Sequence, residues 1–499
     1  MEDEAATKRR RTEGHSGLSD EPGLSSFHME DLPEDIRPVI LSLLSLKEVA
    51  RTCIVSRNWT KLWTHHPNLC FDGTKDRSTD EDSVKIERAK FIETVNSIIQ
   101  QHSGTGLNKF SIRCGLQQKS SDHLNRWIYF ATAAKAKIID INLWSRRITK
   151  RVYHFPLDAL CAQDGPFIES LFLKDVSIKP HSDIRGFTKL TRLLLHSVKI
   201  TGDFPGLLLS CSSLEDLELI ACSGVTDLNI PHQLNKLRHL LISRMPVQMI
   251  DFHVTGLTHF EYKGDVIPIE LHGCSKLEKA TVMFETDNKE LGHAFTAIPS
   301  ISAVKVLIMH AYMKADIPVW ISQVHMVTTR PACMYTNLRH LTCEIKIDTK
   351  APNSHSGLLQ LAHYLAFAPQ LETLKLHMIY HKLGAKCWQG EGTGEEVSCI
   401  HRLDHLKTVY MSGFRCYRAQ VELLCCILEK SPALEHVAIE PQVTLECAPV
   451  LNMCMPESEI RQWARVTSER FGKAITVPSH RPLGDCYRKR RSAAITSCL

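Results

Sequence analysis

The sequence of 499 residues predicts an α/β fold: a three-helix module near the N-terminus, then a solenoid lined by one long, parallel, concave sheet. Three observations lead there. A six-residue apolar pattern recurs eleven times between Ile168 and Ile439. Residues 28–72 carry helical rather than alternating periodicity. The composition, 43% hydrophobic and 23% charged, is that of a folded soluble chain.

Residues 1–27 mix both signs of charge with Gly and Ser, cannot bury a core, and are expected to be disordered. Within them Lys8, Arg9, Arg10 and Arg11 form a compact basic cluster, either a nuclear import signal or a solvated tail. The chain is therefore expected in the nucleus, the cytoplasm or both.

Between 28 and 72 the pattern suits three short helices. Pro33 fits a first helical position, with Glu34 and Asp35 at the positive end of the dipole. Ile36, Ile40, Leu43 and Leu44 share one face. Ser45 and Glu48 have the spacing of a capping box opening a second helix. Val55, Trp59, Leu62 and Trp63 lie at i, i+4, i+7 and i+8, which predicts a third helix ended by Pro67. Pro38 falls inside the expected first helix, where it removes a donor and crowds the Glu34 carbonyl; it should kink that helix or move its start. A module this short is marginal alone, and its apolar faces exceed its own core, so it should lean on a partner or on the solenoid.

Residues 73–104 read as a charged linker and a connecting helix over 84–101, with Ile86, Val95, Ile98 and Ile99 at helical spacing. The repeat array occupies 105–445. Its copies begin with Ile168-Leu171-Leu173, Leu190-Leu193-Leu195 and Leu214-Leu217-Leu219, and end with Leu434-Val437-Ile439. Looser copies precede them at Leu107-Phe110-Ile112 and Ile138-Ile141-Leu143. First positions are spaced 22, 24, 23, 20, 20, 27, 34, 33, 35 and 28 residues apart. The early spacings fall in the leucine-rich-repeat range; the later ones leave room for whole helices. The second and third apolar residues point to one face of a short strand. A lone unit cannot cover them, whereas stacked units bury a continuous core. The residue between them, such as Glu218 or Lys375, then faces the concave side. Leu358, Leu361, Ala362 and Leu365 form one helical face, as do Val421, Leu424, Cys425 and Leu428; both helices belong on the convex side. Residues 446–499 are left as a C-terminal tail.

Chemistry is scarce. The 18 cysteines contain no CxxC pair, and the N-terminus has no apolar leader. No HExxH motif occurs, and Gly390 to Gly394 lacks the Lys-Ser/Thr ending of a phosphate loop. Cys425 falls on a buried helical face, which argues against a reactive thiol. His65-His66 precedes Pro67 at a helix end, where an imidazolium would meet the dipole. A net charge of +5 and a short basic run at Arg488 to Arg491 do not announce a nucleic-acid partner, and no apolar window is long enough for a membrane span. No metal or other cofactor is expected, nor catalysis.

The sequence Leu32-Pro33-Glu34-Asp35-Ile36, with Ile40, Leu43-Leu44, Val55-Ser56-Arg57-Asn58-Trp59 and Leu62-Trp63, resembles an F-box, and Pro67 to Phe71 continues the likeness. With the repeat array, Gly413-Phe414 and the Ser431-Pro432-Ala433-Leu434-Glu435 unit, residues 28–445 resemble the plant F-box/FBD/LRR family. That resemblance implies a substrate-recognition subunit of a Skp–cullin–F-box ubiquitin ligase. It implies that Leu32, Pro33, Ile36, Ile40, Leu44, Val55, Trp59 and Trp63 bind a Skp-type adaptor, and through it a cullin, while the solenoid holds an unnamed protein substrate. The competing reading is a leucine-rich-repeat scaffold acting outside any ligase. The tail after about residue 445 departs from the family pattern.

Overall fold

The computed structural model describes residues 33, 36–55, 63–73, 80–116, 118–144, 152–161, 166–230, 234–284, 295, 298–314, 335–349, 352–354, 357–380, 402–442 and 457–478. Two helices open it, α1 (Ile36–Leu43) and α2 (Leu46–Val55). Pro38 leaves α1 continuous because the helix starts late. The Ile36 amide bonds the Pro33 carbonyl at 3.0 Å, so Pro38 is the third helical residue. Amides of a first turn have no intrahelical acceptor, so a missing N–H there costs nothing. The capping box forms as spaced: the Glu48 carboxylate accepts from the Ser45 amide at 2.7 Å, and the Ser45 hydroxyl accepts from the Glu48 amide at 3.3 Å. Val55 is the last residue of α2 rather than the start of a third helix. Residues 56–62, with Trp59 and Leu62, lie outside the described residues, and Trp63 opens a single tight turn at 63–65.

The strands follow in chain order. β1 is Asn68–Asp72, after which α3 (Glu81–Gln101) leads to β2 (Lys109–Arg113). α4 (Ser121–Ala133) precedes β3 (Ile138–Asn142), β4 (Tyr153–His154), β5 (Ser170–Lys174) and β6 (Val176–Ile178). Next come β7 (Arg192–His196), β8 (Lys199–Ile200), α5 (Phe204–Leu209), β9 (Asp216–Ile220), β10 (Asp227–Ile230), β11 (His239–Ser243) and β12 (Met249–His253). Then come β13 (His259–Gly264), β14 (Ile269–His272), β15 (Lys279–Phe284), β16 (Val306–Lys314) and β17 (His340–Asp348). α6 (Gln360–Leu365), β18 (Thr373–Tyr380), β19 (Thr408–Ser412), α7 (Arg418–Lys430), β20 (His436–Glu440), α8 (Glu457–Phe471) and β21 (Ile475–Thr476) follow among the described residues.

Among the described residues fifteen strands form one parallel sheet in the order β1-β2-β3-β5-β7-β9-β11-β13-β15-β16-β17-β18-β19-β20-β21. The eleven apolar triplets all map onto it. Leu171, Leu193, Leu217, Leu240 and Phe260 share one register row and are buried, and Leu173, Leu195, Leu219, Ile242 and Tyr262 share the next. One looser copy is shifted. Ile139 and Ile141, not Ile141 and Leu143, stand in register with Phe110 and Ile112, so the unit reads Ala136-Ile139-Ile141. The sheet also continues past both ends of 105–445: β1 buries Leu69 and Phe71 against β2, and α8 with β21 adds a unit after β20.

Repeat length decides what covers the other side. The 20–24-residue repeats have room for a second short strand, β6, β8, β10, β12 and β14, and with β4 of the longer unit before them these form the ladders β4-β6-β8 and β10-β12-β14. The longer repeats carry helices; the face expected for α6 is buried, whereas α7 is buried on every side from Ala419 to Leu428, not only on the expected face. Four consecutive units turn this corner at equivalent residues, Asp175, Ser197, Ala221 and Arg244, all with φ between 51° and 57°. Each amide still bonds the next strand (Asp175 to His196 at 3.0 Å, Ala221 to Ser243 at 2.7 Å), so the ladder repays the left-handed strain. Among the described residues no helix is long and apolar enough to cross a membrane.

Candidate binding surfaces

α1 presents an uncovered apolar stripe. Ile36, Val39 and Leu43, at i, i+3 and i+7, are 41%, 59% and 79% exposed. Ile40, Leu44 and Trp63 are half-buried, and Pro33 is exposed. Leu32 and Trp59 lie outside the described residues, as does the Val55 side chain. Val49 of α2 is buried and Leu46 packs on the solenoid core, whereas Ile36, Val39 and Leu43 of α1 face outward. A contiguous apolar stripe in water marks a contact surface. Val39 and Leu43 are not among the residues that the F-box likeness singles out for docking, although their spacing from Ile36 was readable.

Two histidines fasten this module to the sheet. The buried His66 ring reaches the Leu44 carbonyl, just past the end of α1, with Nε2 at 3.1 Å, while Nδ1 accepts from the Asn68 amide at 3.0 Å. The acceptor role of Nδ1 makes the ring neutral, so it meets the C-terminus of α1 as a hydrogen-bond donor rather than as an imidazolium. His102, at the end of α3, donates from Nε2 to the His66 carbonyl at 3.0 Å and accepts at Nδ1 from the Gly104 amide at 3.0 Å. Burial holds its pKa below the ordinary histidine range.

The open face of the long sheet is a polar lattice. Charges pair between neighbouring strands: Arg113 with Asp140 at 3.2 Å, Arg192 with Asp216 at 3.4 Å, and His310 with Glu344 at 2.8 Å. His239 lies between Asp216 at 3.6 Å and Glu261 at 3.8 Å. The Glu261 carboxylate lifts the His239 pKa above its ordinary range against the opposing effect of burial, and His239 in turn holds Glu261 low. At Glu344 burial pulls upward, but the bond and charge of His310 together with the charges of His377 and Lys346 outweigh it, and the carboxyl stays below its usual range. Two shallow grooves cross this face. One, of about 550 Å³, runs from Lys109 to His239. The other, of about 730 Å³, is lined on its open side by Leu241, Glu261, Met283, His310 and Tyr312.

His377 and Ser412 meet at 2.8 Å, but both are buried. The Cys425 thiol is buried and pushed up to about 11, which leaves it protonated and unreactive at neutral pH. Lys8 to Arg11, Gly390 to Gly394 and Arg488 to Arg491 lie outside the described residues.

Comparison with known proteins agrees with this layout. Residues 29–71 match the F-box domain, and residues 98–469 match the At1g61320/AtMIF1 LRR domain. The Arabidopsis thaliana F-box/LRR-repeat protein At3g59210 is 24% identical over 82% of this chain and 86% of its own length. F-box/LRR-repeat protein At3g59200 of the same plant is 22% identical over 91% of both chains. A shorter stretch, 20% of this chain, is 32% identical to 16% of F-box/LRR-repeat protein At3g58940. The LRR match alone spans well over half of the sequence, and with the F-box ahead of it this chain belongs to the F-box/LRR-repeat family.

Proposed function

We propose that this chain is the substrate-recognition subunit of a Skp–cullin–F-box ubiquitin ligase and catalyses nothing itself. The observation that carries the reading is the exposed stripe Ile36, Val39 and Leu43, three large apolar side chains on one face of one short helix. A Skp-type adaptor covers that stripe together with Leu32, Pro33, Ile40, Leu44, Val55, Trp59 and Trp63, and the adaptor brings the cullin. The open sheet face binds the target protein. Its paired charges supply electrostatic specificity, and Leu241, Met283 and Tyr312 in the second groove supply apolar contact. The mechanism is proximity: ordering a target near the ubiquitin-carrying enzyme raises its effective concentration. A scaffold acting outside a ligase loses its main support, because Pro38 sits harmlessly in the first turn of α1.

The test is co-purification of a tagged chain with adaptor and cullin from cells whose proteasome is blocked. Both should be recovered with the wild type and lost with Leu32→Ala/Pro33→Ala. Recovery of neither with the wild type, or equal recovery with the variant, would overturn the proposal.

A further inference from the structure

On the side of the solenoid away from the long sheet, β12 and β14 lie side by side in register, with Asp251 opposite Glu270 and His253 opposite His272. Alternation puts all four on one face of that small ladder. Ligand-type atoms of Asp251, His253 and His272 lie within 4.8 Å of one another. The two imidazoles stack with centroids 4.5 Å apart and planes 22° apart, which brings both Nε2 atoms to the same carboxylate. Asp251 Oδ1 is 3.6 Å from His272 Nε2 and 3.9 Å from His253 Nε2.

Those distances are too long for hydrogen bonds. Asp251 Oδ1 is also sealed from solvent and accepts no hydrogen bond. A buried, unsatisfied carboxylate oxygen aimed between two imidazoles is costly unless something positive sits between them. Glu270 closes the fourth corner, its Oε2 3.0 Å from His272 Nε2. Around a zinc ion with bonds of about 2.0–2.1 Å, the edges of a tetrahedron measure about 3.3 Å. The observed separations of 3.0, 3.6 and 3.9 Å bracket that value, so small side-chain rotations would close the shell.

We propose that Asp251, His253 and His272, with Glu270 as fourth ligand, form a binding site for a divalent transition-metal ion of the zinc type. Two imidazole nitrogens select such an ion over magnesium or calcium, which prefer all-oxygen shells. The imidazoles bind through neutral Nε2, so the proton that His272 now shares with Glu270 moves to Nδ1 or leaves. The ion staples two successive repeats at the outer ladder, where only four residue pairs join the strands.

The chain should be titrated with Zn²⁺ by calorimetry and with Co²⁺ by visible absorption. One ion should bind per chain, and the Co²⁺ spectrum should show d–d bands without thiolate charge transfer. His253→Gln/His272→Gln and, separately, Asp251→Asn should each weaken binding at least about tenfold. All three side chains are a third to a half exposed, so the ion-free variants should melt as the wild type does. Absence of saturable binding, a thiolate spectrum, or equal affinity in the double variant would each overturn the site.

Discussion

The histidine junction between the F-box and the sheet makes a quantitative demand. Replacing His102 by Ala removes its bonds to the His66 carbonyl and the Gly104 amide, both 3.0 Å, and its edge-on contact with Phe130 at 5.8 Å. Each hydrogen bond contributes about 0.5–1.5 kcal/mol and the ring contact a similar amount, so the loss should be roughly 2–4 kcal/mol. In a solenoid each unit is coupled mainly to its neighbours. The damage should therefore be local. Hydrogen exchange should speed up in β1 and the last turns of α3, while β9 to β13 stay protected. The same ring sets a pH dependence. Its folded pKa is depressed, so the unfolded chain binds more protons below the ordinary histidine range of about 6.5. This contribution is fully present above that range and declines as pH falls from there toward the lower folded value. His102→Ala should abolish that part of the slope. Equal loss of protection along the whole sheet, or a change under about 0.5 kcal/mol, less than one hydrogen bond, would refute the reasoning.

Three further outcomes follow from local structure. Phe260 is fully buried and packs edge-on against Phe252 at 6.3 Å, so Phe260→Ala should lower the urea unfolding free energy by about 3–5 kcal/mol. Ser45→Ala breaks the capping box of α2 and should cost about 1 kcal/mol, read as faster exchange of the Glu48 amide. Alanine at Lys8, Arg9, Arg10 and Arg11 should move a fluorescent fusion from nucleus to cytoplasm; an unchanged distribution would mean the cluster is only a solvated tail.

The long sheet was legible because its signal is redundant. Each strand repeats two inward residues at a spacing of two, and a neighbour with the same pattern must cover them, so misreading one copy hardly matters. The exceptions are instructive. Ile138, Ile139 and Ile141 offer two alternating readings, and only pairing with Phe110 and Ile112 chooses between them. β1 escaped notice because Leu69 and Phe71 sit inside the F-box likeness, and one segment serves both modules. β21 has two residues and no leucine, so its unit is held by α8 rather than by a strand pattern. Val55 fits two helical faces by spacing, and α2 runs far enough to claim it. Pro38 is disruptive only in a helix that starts at Pro33, and α1 starts at Ile36. The Asp251–His253–His272 cluster could not be read from spacing, because its members come from two repeats and meet through a register that leucines elsewhere decide.

The central claim is that the exposed face of α1 is an adaptor-docking surface. Calorimetric titration of the chain with a purified Skp-type adaptor tests it most directly, comparing the wild type with Val39→Asp/Leu43→Asp. Covering the exposed parts of these two side chains should contribute about 3 kcal/mol, or roughly a hundredfold in Kd. Both already face solvent, so the free variant should melt within a degree or two of the wild type. The account predicts saturable one-to-one binding that falls at least a hundredfold in the variant at unchanged melting temperature; equal affinity for the two proteins would contradict it.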